Sequence, residues 1–170
     1  KAGNLGTCGA FSFYPVKPMT SIEGGMVTTN NADLAKSIKK CRAFGYNKEL
    51  GERTRPGIYD VDCLGFNYRM NEVEAAVGIA QLIKLDKMQK IRERNFKIFD
   101  EFLSNNLYIK SFPSKYKSSK SSHYCYNIVL PDDGSISRNK VQDLLREEGI
   151  GTPIHYPSAV PQFTYYSKKY

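Results

Sequence analysis

An α/β unit followed by a smaller α+β unit is the fold class that the sequence predicts, and three observations predict it. A strand, a glycine turn, a second strand and a helix follow one another between Gly9 and Gly45. A long amphipathic pattern begins at Asn71 and runs on through Phe102. Beyond it, two β-rich runs flank a Ser/Lys tract and lead into one further helix. Strands alternating with helices give α/β architectures, whereas grouped strands and helices give α+β ones.

Gly9 to Tyr14 alternates with the strand period, so Ser12 and Tyr14 share one face and Phe11 and Phe13 the other. Pro15 and Pro18 bracket Val16 and Lys17, remove two backbone donors and stiffen the loop that carries the lysine. Glu23-Gly24-Gly25 turns into the β-rich run Met26 to Thr29. Asn30 and Asn31 can cap a helix with Leu34, Ile38 and Cys41 on one face, ended by Gly45. Tyr46 to Gly65 contains Gly51, Pro56, Gly57, Arg53 and Arg55 without a period and reads as a long loop.

Asn71 opens a second helix with Glu74 as its capping-box partner. Ala76, Ile79, Ala80 and Ile83 form its stripe, and Ala75, Val77 and Leu82 extend the expected burial to more than one side. The pattern continues through Leu85, Met88 and Ile91 to Ile98, Phe99 and Phe102 with a more charged outer face. This predicts a long or broken helix that leaves one packing unit and enters another, with domains over residues 1–88 and 89–170. Tyr108 to Phe112 and Tyr124 to Leu130 read as strands around the tract Ser114 to Ser122. Ser137 caps a helix carrying Val141, Leu144 and Leu145, Gly149 closes it, and Ile150 to Tyr156 resumes an extended path.

A chain of 170 residues is long enough to bury a real core. Its net charge of +8 raises the question of nucleic acid. The surplus, however, lies in Lys84, Lys87, Lys90, Arg92, Arg94, Lys97 and the Ser/Lys tract, which read as a solvated helix face and a surface loop. No zinc finger or RNA-recognition signature accompanies it, so neither nucleic acid nor membrane is expected as a partner. No apolar run approaches the ~18 residues of a membrane span, and the start at Lys1 shows no signal-peptide pattern. Cys8, Cys41, Cys63 and Cys125 lack metal-ligand spacing and are expected as reduced, mostly buried thiols. These features together predict a soluble, cytoplasmic protein without a metal.

Two histidines with no Cys/His pairing disfavour nucleophilic triads and zinc sites. Glu72/Glu74, Asp132/Asp133 and Glu147/Glu148 have structural reasons to sit at caps, turns and a helix end. The dinucleotide fingerprint and the phosphate-binding P-loop are absent. Lys17 remains, a lone cation between a short aromatic strand and a glycine turn. A nucleophilic amine must be partly desolvated and rigidly held, and this setting supplies both conditions.

Phe11-Ser12-Phe13-Tyr14-Pro15-Val16-Lys17, followed by Thr20 and Glu23-Gly24-Gly25-Met26-Val27, resembles the Schiff-base lysine motif of the DegT family of pyridoxal-phosphate sugar aminotransferases. Leu64-Gly65-Phe66-Asn67-Tyr68-Arg69-Met70, then Glu74-Ala75-Ala76 and Gln81-Leu82, is similar to the family's second signature, and Gly149-Ile150 with His155-Tyr156 to a third. The resemblance implies the later part of a fold-type I large domain, here residues 1–88, followed by the small domain. Lys17 would form the Schiff base with pyridoxal 5'-phosphate, Ser12 would hydrogen-bond its phosphate, and Asn67 would reach a phosphate across a homodimer interface. His155 and Tyr156 would lie near the substrate, a nucleotide-linked keto sugar aminated from glutamate or another amino acid in polysaccharide biosynthesis. A related branch dehydrates such sugars with histidine in the lysine's place, so Lys17 points to aminotransfer.

Members of the family are about twice as long, and their upstream half supplies the glycine-containing phosphate loop, the ring-stacking aromatic and the acidic partner of the pyridine nitrogen. Without these, the 170 residues alone are expected to be inactive. The alternative reading is a non-catalytic, truncated relative that serves as a partner subunit or regulator.

Overall fold

The computed structural model describes residues 1–112 and 119–170. The chain forms two compact units, one of Lys1–Ile98 with the described part of Ser114–Cys125, the other of Phe99–Pro113, as far as described, with Tyr126–Tyr170. In the first, β1 (Gly9–Ser12) and β2 (Gly25–Thr28) form an antiparallel ladder in which Ser12 faces Gly25 and Gly9 faces Thr28. Phe13 continues the pairing past β1, because its N–H donates to Gly24 O at 2.9 Å.

Helix α1 (Ala32–Cys41) begins where expected, with Asn31 Oδ1 accepting from Leu34 N–H at 3.0 Å. The segments on either side of the long loop then pair. Phe44 N–H donates to Phe66 O at 3.0 Å, Tyr68 N–H to Arg42 O at 2.8 Å, and Asn67 is bridged to Ala43. Two glycines make this approach possible, since a Cβ on Gly65 would collide with the backbone of Phe44 and Gly45. Gly45 itself has φ +75°, a conformation that favours glycine.

Helix α2 (Glu72–Leu103) is continuous over 32 residues, so the alternative of a broken helix is not realised. Its start is the expected capping box: Glu74 N–H donates to Asn71 Oδ1 at 2.8 Å, and Asn71 N–H to Glu74 Oε2 at 3.0 Å. The compact units divide within this helix at Ile98/Phe99.

In the second unit, β3 (Lys110–Ser111) and β4 (Ile128–Val129) form a ladder much shorter than the two predicted strands. The Tyr126 hydroxyl donates to Asp100 Oδ1 at 2.8 Å, tying the β4 side of this unit to the end of α2. Helix α3 (Arg138–Glu147) has Ser137 in the N-cap position, but the serine side chain makes no cap hydrogen bond. At its far end Gly149, φ +77°, lets Ile150 N–H reach back to Leu145 O at 2.7 Å. A short helix, α4 (Thr164–Lys169), was not anticipated. Residues 114–118 of the Ser/Lys tract fall outside the described residues.

Two expectations from composition are corrected. Among the described residues no hydrophobic side chain is buried, and the buried polar ones are Ser21 and His123. The described ladders are two-stranded, and such ladders with single amphipathic helices present apolar faces without a second layer to close over them. The cysteines are free thiols but not buried ones: Cys8 is exposed and the other three are half-buried. Among the described residues no helix is long and apolar enough to cross a membrane.

An isolated polypeptide of these 170 residues is therefore expected to bind an apolar-surface dye and to unfold without a sharp calorimetric transition. A sharp transition with no dye binding would contradict this account of its packing.

Candidate active site

Lys17 stands on a loop whose two ends are tied at one residue. Besides the bond from Phe13 N–H to Gly24 O, Phe13 O accepts from Ser21 N–H at 3.0 Å and from Thr20 Oγ1 at 2.9 Å. Within the loop, Lys17 N–H donates to Tyr14 O at 2.9 Å, and Tyr14 N–H lies 3.3 Å from Ser12 Oγ. Through Tyr14, these two hydrogen bonds link the hydroxyl of the residue predicted to bind phosphate with the backbone of the residue predicted to react. The two prolines complete the rigidity, because neither leaves an N–H in need of a partner.

The loop packs on helix α2 through Ser21, only 1% exposed, whose hydroxyl donates to Glu23 O at 2.6 Å. Opposite it is Gly78, the one buried residue of α2, where a Cβ would sit 3.5 Å from Ser21 Cβ and 3.9 Å from Met19 Cε. A methyl group there would make ordinary van der Waals contact with both. Farther along, Arg92 Nη2 donates to Pro18 O at 3.4 Å.

The Lys17 amine is half-buried and lies 5.1 Å from the centroid of the Tyr124 ring. Among the described residues it forms no ion pair, so no carboxylate has to be displaced before it can react. The Ser12 hydroxyl, already an acceptor for Tyr14 N–H, keeps its own hydrogen for donation to a ligand. An amine and a hydroxyl donor on one hairpin fit a phosphorylated aldehyde such as pyridoxal phosphate.

Asn67 belongs to the same unit but to the segment paired with the end of α1. Its Oδ1 accepts from Arg69 Nε at 3.2 Å, and no hydrogen bond joins it to Ser12 or Lys17. The Arg69 guanidinium lies 4.8 Å over the Phe44 ring. Just upstream, Lys40 pairs with Asp62, and the hydrogen bond it donates to the Asp62 carboxylate holds the Lys40 ammonium above its ordinary range. Burial first, and the adjacent Cys41 thiol second, push the Cys63 thiol up as well, with Lys40 pulling the other way. His155 and Tyr156 lie in the second unit, both exposed, with rings in edge contact at 5.6 Å.

The sequence singles out Lys17 and Ser12 by their local setting, but not Gly78, Arg92 and Tyr124, which meet the lysine loop. An isolated glycine inside a helical stripe was a usable signal for Gly78. Nothing local to Tyr124 or Arg92 announces a contact with a loop so distant in the chain.

A half-buried lysine on a backbone-tied loop, docked on a long helix, defines a lysine-centred α/β domain. The comparisons make this specific. The chain belongs to the DegT/DnrJ/EryC1/StrS aminotransferase family, whose model matches residues 1–170. It is 36% identical over 171 residues to the UDP-4-amino-4,6-dideoxy-N-acetyl-beta-L-altrosamine transaminase of Campylobacter jejuni, covering 99% of this chain and 43% of that protein. Among solved structures it is similar to PseC of Helicobacter pylori, an aminotransferase involved in the biosynthesis of pseudoaminic acid, with TM-score 0.87 and 28% identity over 99% of this chain and 43% of that one. The PLP form of Spr1654 from Streptococcus pneumoniae shares the fold, with TM-score 0.84 and 22% identity over 98% of this chain and 42% of that one. The chain thus spans well under half the length of these relatives.

Two outcomes follow from this geometry. In the full protein in which this sequence occurs, Gly78→Ala is expected to leave the unfolding temperature unchanged or raise it, since alanine favours a helix interior by about 1 kcal/mol. Gly78→Leu is expected to lower it and to speed hydrogen exchange at Ser21 N–H, which equal exchange in both variants would refute. In mildly alkaline iodoacetamide, Cys8 is expected to be alkylated well before Cys63, because a raised thiol leaves less thiolate. Peptide mapping over time checks the order.

Proposed function

We propose that this chain is the lysine-bearing part of a pyridoxal-phosphate-dependent aminotransferase that acts on a nucleotide-linked keto sugar. The observation that carries the reading is Lys17, held on its tied loop in a chain that matches the family along its whole length. Glutamate is the proposed amino donor, and the cytoplasm, a homodimer and a place in polysaccharide biosynthesis complete the proposal. The transaminase activity of the Campylobacter relative on a UDP-linked sugar supports the substrate class. Residues 1–88 are assigned to the cofactor-binding domain and 89–170 to the small domain.

When bound, the cofactor supplies an electron sink for the bond broken at the substrate's amine-bearing carbon. Lys17 would be the covalent anchor, and its Nζ, when free, would take the proton from that carbon and return it on the other side of the exchange. Ser12 Oγ–H donates to the phosphate without adding charge, and the Asn67 amide does the same for a phosphate in the neighbouring subunit. His155 and Tyr156 meet the sugar.

The test is reduction with borohydride after incubation with pyridoxal phosphate, in the full protein in which this sequence occurs, followed by peptide mapping. A reduced adduct on Lys17, lost in Lys17→Ala, is the expected result, with transamination falling by at least ~10³-fold in that variant. An unmodified Lys17 would overturn the reading and favour the non-catalytic partner subunit, for which the exposed apolar surface supplies a physical motive.

A further inference from the structure

The Tyr124 ring is delivered to Lys17 by a segment whose conformation is held from several sides. His123, the residue before it, is 6% exposed and has φ +49°, a left-handed backbone that side chains seldom adopt. Its N–H donates to Ser121 Oγ at 3.0 Å, and the Gln89 amide nitrogen lies 3.0 Å from His123 Nδ1 and donates to Ser121 O at 3.3 Å. The Phe96 ring meets the imidazole edge-on at 4.8 Å. Gln89, Arg92 and Phe96 are spaced three and four apart, so one face of α2 grips both the 121–123 segment and, through Pro18 O, the lysine loop. A strained, buried residue persists only where its surroundings over-determine it, and such strain gathers at functional sites.

What the clamp presents is an aromatic face. The distance of 5.1 Å from Lys17 Nζ to the ring centroid lies within the ~6 Å over which a ring quadrupole attracts an ammonium. We propose that Tyr124 is a positioning residue, the resting place of the Lys17 ammonium whenever that amine is not joined to the cofactor. The proposal rests on the aminotransferase reading above and adds a role that opposes attachment. To attach, the ammonium gives up its proton and leaves the ring, and its nitrogen bonds to the aldehyde carbon as one water departs. A ring that holds the ammonium therefore favours the released lysine over the attached one. Once an incoming amine has displaced Lys17 and the freed Nζ has taken up a proton, the ring holds the resulting ammonium and keeps it from wandering into solvent.

The experiment is a pyridoxal phosphate titration of the full protein, trapped with borohydride and quantified on the Lys17 peptide. Tyr124→Leu keeps apolar bulk but removes the ring face, and is expected to tighten attachment about two- to fivefold. Tyr124→Phe keeps the face and is expected to match the native protein. A mere packing role gives the opposite sign, because a loosened loop would weaken attachment. Unchanged or weaker attachment in Tyr124→Leu overturns the proposal. If that variant does not fold, a ring-fluorinated phenylalanine at position 124, equal in shape with its face drained of charge, must tighten attachment, and no change overturns it. Absence of any adduct in the native protein overturns the aminotransferase reading and this proposal together, whereas equal attachment in native and variant proteins overturns this proposal alone.

Discussion

The rest of the site depends on the three hydrogen bonds that meet at the Phe13 backbone. Its N–H reaches Gly24 O, and its carbonyl collects Ser21 N–H and the Thr20 hydroxyl, so the chain that leaves β1 is brought back to the same residue before entering β2. Lys17 sits between these ties. A free loop of this length would sample many conformations, each ordered residue costing about 1–2 kcal/mol of backbone entropy, and an amine on such a loop would rarely meet its target in a reactive pose. The ladder, the glycine turn and the two prolines meet that cost during folding rather than during each encounter with a ligand.

Helix α2 turns this local order into a placed side chain. Its capping box fixes where the helix begins, and from that start the positions of Gly78, Gln89, Arg92 and Phe96 follow from helical geometry. Gly78 leaves room for Ser21, and Arg92 takes the Pro18 carbonyl that the proline-rich loop offers outward. The loop is thus supported from beneath by a rigid element, the arrangement that holds a functional group more closely than a loop alone can.

What could be read in advance follows the range of the interactions involved. The caps at Asn31 and Asn71 were legible because each partner lies three residues away. The stiff loop around Lys17 was legible because strand alternation and proline geometry act over a few positions. The position of Ser137 was legible too, but not the failure of its hydroxyl to cap, which turns on one side-chain rotamer. The ladder of β3 and β4 is shorter than its propensities suggested, since pairing depends on neighbours that a single strand's sequence does not name. Tyr124 was illegible for the same reason: its contact with Lys17 is made by the packing of α2, not by anything near either residue.

The absence of a buried hydrophobic side chain among the described residues sharpens this contrast. Apolar burial is ordinarily the dominant favourable term in folding, worth about 25 cal/mol for each Å² removed from water, and it acts between elements far apart in sequence. The lysine loop is organised by a different kind of force. Backbone hydrogen bonds between residues within a dozen positions, glycines that admit close approach and prolines that restrict φ all operate inside the hairpin itself. The geometry around Lys17 can therefore be specified by the segment that carries it, while the stability of that geometry depends on whatever covers Phe11, Met26 and the exposed stripe of α2. A short motif can identify the site for this reason, even where the surrounding surface still calls for partners to pack against.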